Sequence, residues 1–119
     1  MDEAFIKKVQ PNSPEAEQSV IGAMIMDRDA IADVIDIVNA DDFYQKQNGI
    51  LFEAMTELYR EGKPVDLVTL QNKLKKKDVP ESMKSLEFIR DLLEAVPTSA
   101  NAKQYAKIVS EKATLRKLI

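Results

Sequence analysis

Apolar residues recur three and four positions apart along almost the whole chain, and no convincing strand alternation appears. Three-four spacing lines up side chains on one face of an α-helix but scatters them over both faces of a strand. The pattern therefore predicts an all-α fold, a compact bundle of about six helices separated by short breaks at Pro, Gly and Asp. Residues 1–12 read as a flexible N-terminal arm, and 13–119 as one helical domain.

The first helix opens at Ser13-Pro14-Glu15. Ser13 is placed as N-cap, Pro14 at the first helical position, and Glu15 and Glu17 near the positive end of the dipole. Ala16, Val20, Ala23 and Met24 form its stripe. Asp27-Arg28-Asp29 breaks the helix, and either Asp can cap the second, whose stripe is Ile31, Val34, Ile35 and Val38. Asp41-Asp42-Phe43-Tyr44 reads as a turn that drops an aromatic pair into the core. The third helix is expected over about 47–60, burying Ile50, Leu51, Ala54, Met55 and Leu58. Gly62 stands where a left-handed C-terminal cap is needed, and Pro64 forbids continuation. Asp66 caps a fourth helix with Leu67, Leu70 and Leu74 inward, ending at Lys75-Lys76-Lys77, where cations suit the dipole. A fifth helix is expected from Ser82 or Ser85 to Ala95, with Leu86, Ile89, Leu92 and Leu93 facing in and Pro97 beyond it. Thr98 or Ser99 caps the sixth, which carries Tyr105, Ile108, Val109, Leu115 and Leu118.

Composition excludes several functions. The 119 residues contain no Cys, no His and no Trp, so thiolate, imidazole and zinc-finger chemistry are absent from the chain. Gly22, Gly49 and Gly62 stand too far apart for a phosphate-cradling loop. The paired acids Glu15/Glu17, Asp27/Asp29 and Asp41/Asp42 sit at helix starts, where the dipole accounts for them. No catalysis is expected within these residues, and no cofactor or metal. The longest apolar run is the seven residues 20–26, far short of a membrane span. The start lacks the basic flank and apolar core of a signal peptide, and the lack of Cys suits a reducing cytoplasm.

The formal net charge is −3, with 17 basic and 20 acidic residues, which speaks against a self-sufficient nucleic-acid binder. The charge is uneven: residues 1–60 carry 12 acids and 5 bases, whereas 61–119 carry 8 and 12. Lys73, Lys75, Lys76 and Lys77 form the densest basic cluster. They read first as a solvated helix end, and second as candidate phosphate contacts without aromatics for base stacking. Glu15 reads as an exposed acid that can meet a basic partner. Tyr105, Ile108, Val109, Leu115 and Leu118 present more apolar surface than one small domain must bury, which makes them candidates for self-association. The last helix has no stop signal before residue 119, so the chain is expected to be a piece of a longer protein.

The order of segments resembles the N-terminal domain of bacterial replicative DNA helicases, the DnaB family. The resemblance is carried by Pro14-Glu15-Ala16-Glu17-Gln18-Ser19-Val20-Ile21-Gly22, Asp42-Phe43-Tyr44, Ile50-Leu51-Phe52, the stretch from Gly62 to Leu70, Val96-Pro97-Thr98-Ser99-Ala100-Asn101 and the helix from Tyr105 onward. Two positions depart from the family's pattern. Asn48 stands where many members have His, and residues 78–84 lack the usual Gly-Gly.

The resemblance implies a collar domain of a hexameric, ATP-hydrolysing helicase that moves 5′ to 3′ on single-stranded DNA at the bacterial replication fork. It implies homo-oligomerisation, primase docking with Glu15 as a candidate contact, helicase-loader contacts, and a share in the DNA channel. A helical hairpin and an ATPase domain using ATP and Mg would follow residue 119. The alternatives are a generic helical adaptor unrelated to replication, or a small single-stranded DNA binding module using Lys73 to Lys77.

Overall fold

The computed structural model describes residues 10–94 and 101–119. Among them there are six α-helices and no strand: α1 Pro14–Met26, α2 Arg28–Ile35, α3 Lys46–Arg60, α4 Leu67–Lys75, α5 Leu86–Glu94 and α6 Ala102–Lys117. Short 3-10 turns occupy Ala40–Asp42 and Glu81–Lys84. Pro97, Thr98 and Ser99, expected to end one helix and cap the next, lie outside the described residues, as do residues 1–9 of the expected arm.

The helix starts follow from local hydrogen bonding. Ser13 Oγ accepts from Ala16 N at 3.2 Å, with Pro14 in the first position. Asp27, rather than Asp29, caps α2, accepting from Asp29 N at 2.9 Å. Asp66 and Thr69 form a reciprocal capping box at the start of α4, at 2.8 and 2.9 Å. Ser85 accepts from Phe88 N at 3.1 Å and starts α5, while Ser82, the other expected start, falls inside the preceding 3-10 turn. Gly62 adopts φ +73°. Around it Gly62 N donates to Tyr59 O at 3.1 Å and Lys63 N to Leu58 O at 3.0 Å, which satisfies two carbonyls left open at the end of α3.

α1 is the central helix, packed against α2, α3, α5 and α6. Val20, Ile21, Gly22, Ala23 and Met24 are buried in succession. A helix surrounded on most sides is apolar most of the way round, which explains the run at 20–26. Ile31 and Val34 of α2, Leu51 and Met55 of α3, Leu70 and Leu74 of α4, and Ile89 of α5 complete the centre.

Three expectations about burial need correction. Phe43 is buried and lies 5.3 Å from Phe52, ring centre to ring centre, but Tyr44 is 37% exposed. The chain is extended at Phe43, and only the first aromatic of the pair turns inward. Ile35, Ile50, Leu67 and Leu86, all expected to face inward, are only half-buried. On α6 the buried seam is Ala102, Ala106, Val109 and Ala113. Small side chains let this helix approach α1 closely, and the larger apolar residues sit to either side of the contact.

Gly49 marks another close approach. A Cβ there would stand 2.7 Å from the carbonyl oxygen of Ala40, so α3 lies directly against the 3-10 turn only because this residue has no side chain.

Candidate interaction surfaces

Glu17 was read from the sequence as a dipole partner of its own helix, but it acts on a different one. It is 2% exposed. Its Oε2 accepts from Tyr44 N at 2.7 Å, and its Oε1 accepts from Gln45 N at 3.2 Å and from Asn48 Nδ2 at 3.0 Å. Gln45, at the N-cap of α3, makes no capping bond of its own. A carboxylate from α1 therefore caps α3 and faces its positive dipole end, which compensates for burying a charge. The sequence held a signal for this. Glu17 is in register with Val20, Ile21 and Met24, so it lies on the core side of α1, where an unpaired acid is not tolerated. Asn48, noted as a departure from the family pattern, is the side-chain donor of this cap and is itself buried.

Arg116 completes the same region from the far end of the chain. It donates to Pro11 O at 2.7 Å and to Asp42 O at 2.6 Å, and its guanidinium lies 5.3 Å from the centre of the Tyr44 ring. It ties the segment before α1, the 3-10 turn and the end of α6 together, across sequence separations that no local pattern reveals.

Glu15 is exposed in the first turn of α1. The five candidates for self-association divide into three groups. Val109 is 1% exposed and belongs to the domain's own core, so it is withdrawn as a surface residue. Tyr105 and Ile108 are half-buried against that core. Leu115 and Leu118 are 45% and 79% exposed, and Ile119 beside them is 77% exposed. The exposed members of this group thus lie at the end of α6 and just past it, next to a shallow cleft lined by Ser110, Glu111, Thr114 and Leu115.

The lysine cluster also divides. Lys73 Nζ lies 2.9 Å from Glu61 and 3.4 Å from Glu57. Lys77 Nζ lies 3.0 Å from Glu57 and 3.8 Å from Glu53. These two lysines face α3 and join α4 to it, whereas Lys75 and Lys76 are exposed. Partial desolvation pushes the Glu57 carboxyl up, but hydrogen bonds and charge from Lys77 and then Lys73 outweigh it and hold it below 4.5. Hydrogen bonds from Lys73 and Lys63 lower Glu61. The bond to Glu61, more than the one to Glu57, raises Lys73 above 10.5.

Among the described residues no three His, Cys, Asp or Glu side chains converge as a metal site, and no helix is long and apolar enough to cross a membrane. Gly22 lies within α1, Gly49 within α3 and Gly62 at a helix end. None of them opens a phosphate loop at the start of a helix.

Comparison with known proteins agrees with this architecture. Over 100% of its length the chain is 40% identical to the replicative DNA helicase DnaB of Geobacillus stearothermophilus, and it covers 26% of that protein. It is 39% identical over 113 residues to the replicative DNA helicase DnaB of Leifsonia xyli, covering 25% of it. The chain thus spans about a quarter of the length of these relatives. The crystal structure of the N-terminal domain of DnaB helicase from Mycobacterium tuberculosis superposes with a TM-score of 0.88 at 39% identity, over 92% of this chain and 76% of that one. The N-terminal domain of DnaB helicase from Helicobacter pylori, described with its interactions with primase, gives a TM-score of 0.73 at 25% identity over 99% of this chain and 89% of that one. The sequence also matches the family described as DnaB-like helicase N terminal domain over residues 9–111. With the family match over residues 9–111, the identity to the helicases and the superposition of the helices, the chain belongs to the family of replicative DNA helicase N-terminal domains.

Proposed function

We propose that this domain works as an assembly and docking module, the collar of a hexameric replicative helicase. ATP-driven unwinding, with its Mg and nucleotide, belongs to residues outside the chain. The observation that carries this reading is the cluster of exposed apolar side chains at the end of α6 and just past it, Leu115, Leu118 and Ile119, whereas the other large exposed apolar side chains among the described residues, Met26, Tyr44 and Val68, are far apart in the sequence. A contiguous apolar patch at a helix end is a site of association with another helix. The primase interactions described for the Helicobacter pylori domain support primase as a docking partner here, with exposed Glu15 as a candidate contact. Contacts with a helicase loader and with single-stranded DNA, and a place at the bacterial replication fork in the cytoplasm, are further parts of the proposal.

Two measurements test it. Sedimentation of this chain against one extended beyond residue 119 should show stronger association of the extended form; equal association removes the need for further residues. Titration with primase should show weaker binding for Glu15→Lys; an unchanged affinity removes Glu15 from the interface.

A further inference from the structure

We propose that α4 and the end of α3 form a phosphate-binding cleft composed differently from the lysine run in the sequence. Leu58, Lys63, Thr69, Asn72, Lys73 and Lys76 enclose a cleft of about 100 Å³. Thr69, Asn72, Lys73 and Lys76 are spaced i, i+3, i+4 and i+7, so they form one stripe of α4. Lys63 faces this stripe from the turn after α3. Lys75 and Lys77 do not line the cleft.

The cations are preorganised. The Lys63 backbone is held by its bond to Leu58 O and by Arg28, which donates to Lys63 O at 2.8 Å while lying 4.8 Å from the centre of the Tyr59 ring. Glu61 receives Lys63 on Oε1 at 3.2 Å and Lys73 on Oε2 at 2.9 Å, so one carboxylate keeps both ammonium groups at the rim. Lys76 and Asn72 are exposed and make no ion pair or side-chain hydrogen bond among the described residues, which leaves their donors for a ligand. The lining itself holds three lysines and no acid; Glu57 and Glu61 pair with Lys63 and Lys73 from outside it, which leaves Lys76 as the cation with no such partner among the described residues.

The chemistry selects the ligand class. Lysine is a point charge suited to a phosphate oxygen, and no arginine fork is present to favour a planar carboxylate. No aromatic lines the cleft, so a base has nothing to stack on and contact is limited to a phosphate group. The ligand is thus a phosphate, whether free or part of a nucleic-acid backbone. The site stands on cleft geometry and does not depend on ring assembly or on primase docking.

The test is an amide NMR titration of the chain at low ionic strength with inorganic phosphate, with chloride at matched ionic strength, and with a short single-stranded oligothymidylate. Saturable shifts at Lys63, Asn72, Lys73 and Lys76 with phosphate but not chloride are expected. They should be lost in the Lys63→Gln/Lys76→Gln double variant and kept in Lys75→Gln. If the oligonucleotide binds more tightly than phosphate and the double variant lowers its salt slope by about 1.4, at roughly 0.7 per single-strand contact, the source is a nucleic-acid backbone. Saturation by phosphate with no gain from the oligonucleotide assigns the site to free phosphate or a monoester. Equal shifts with chloride, or equal loss in Lys75→Gln, overturn the proposal.

Discussion

Two residues in this domain have roles that their own helices do not explain. Glu17 satisfies three donors belonging to α3 and to the approach to it. Removing it leaves the buried Asn48 amide and the partly buried Tyr44 and Gln45 N–H groups without their acceptor. Bonds to a charged acceptor contribute more than neutral ones, so Glu17→Ala should lower stability by about 3 kcal/mol, measured by urea denaturation. An effect under about 0.5 kcal/mol, the level of an ordinary surface change, would contradict the capping role. At Gly49 two effects oppose each other. Alanine favours a helix interior by about 1 kcal/mol over glycine, but its Cβ would meet the Ala40 carbonyl oxygen at 2.7 Å. A backbone atom gives way less readily than a side chain, and overpacking costs about 1–3 kcal/mol. Gly49→Ala is therefore expected to destabilise on balance, and a rise in stability would show that the 3-10 turn moves aside. Thr56 Oγ1 is buried without a hydrogen-bond partner among the described residues. Thr56→Val keeps the shape and removes the polar atom, so the same denaturation experiment should show no loss.

Among the elements, α3 and α4 are joined by a ladder of Glu53, Glu57 and Glu61 against Lys73 and Lys77. Glu57 and Glu61 are held below 4.5 in the fold. Their contribution is therefore fully present above 4.5 and is lost as the pH falls through the lower folded values. Lys73 is raised above 10.5, so its contribution is full below 10.5 and is lost as the pH rises beyond it. The stability difference between the native chain and Lys73→Met should be level between these limits and shrink on both sides. It should also shrink as salt rises, because the partners are only partly buried. Denaturation at several pH values checks this; a difference that persists at acid pH would assign the effect of Lys73 to its aliphatic stem.

At the scale of the whole molecule, the apolar end of α6 is separate from the core that holds the domain together. Leu115→Glu with Leu118→Glu should leave the circular dichroism spectrum and the unfolding midpoint almost unchanged while weakening self-association in sedimentation. Loss of the fold would mean that these residues pack within the domain after all. Arg116 is the counterexample one position away. Its bonds to Pro11 and Asp42 fasten the two ends of the described chain to the middle, so Arg116→Ala should destabilise even though the residue lies in the last turn of α6.

Taken alone, the sequence established the helices, most of their caps and the fold class. Apolar spacing, Pro, Gly and a capping Asp or Ser act over four or five residues, within reach of a linear reading. The family was legible too, because its motifs keep their order. Five candidates on α6 looked equivalent because periodicity gives a stripe but not its angle to the neighbouring helix. Only the packing of Ala102, Ala106 and Ala113 against the core assigned Val109 to the interior and Leu115 and Leu118 to solvent. The four lysines likewise looked like one cluster until the turn at Gly62 aimed α4 at α3, drawing Lys73 and Lys77 onto glutamates and leaving Lys75 and Lys76 exposed. Glu17 and Arg116 needed the tertiary structure most. Their partners lie 27 to 31 and 74 to 105 residues away, and hydrogen bonding across such distances depends on the closed fold rather than on any local preference of the chain.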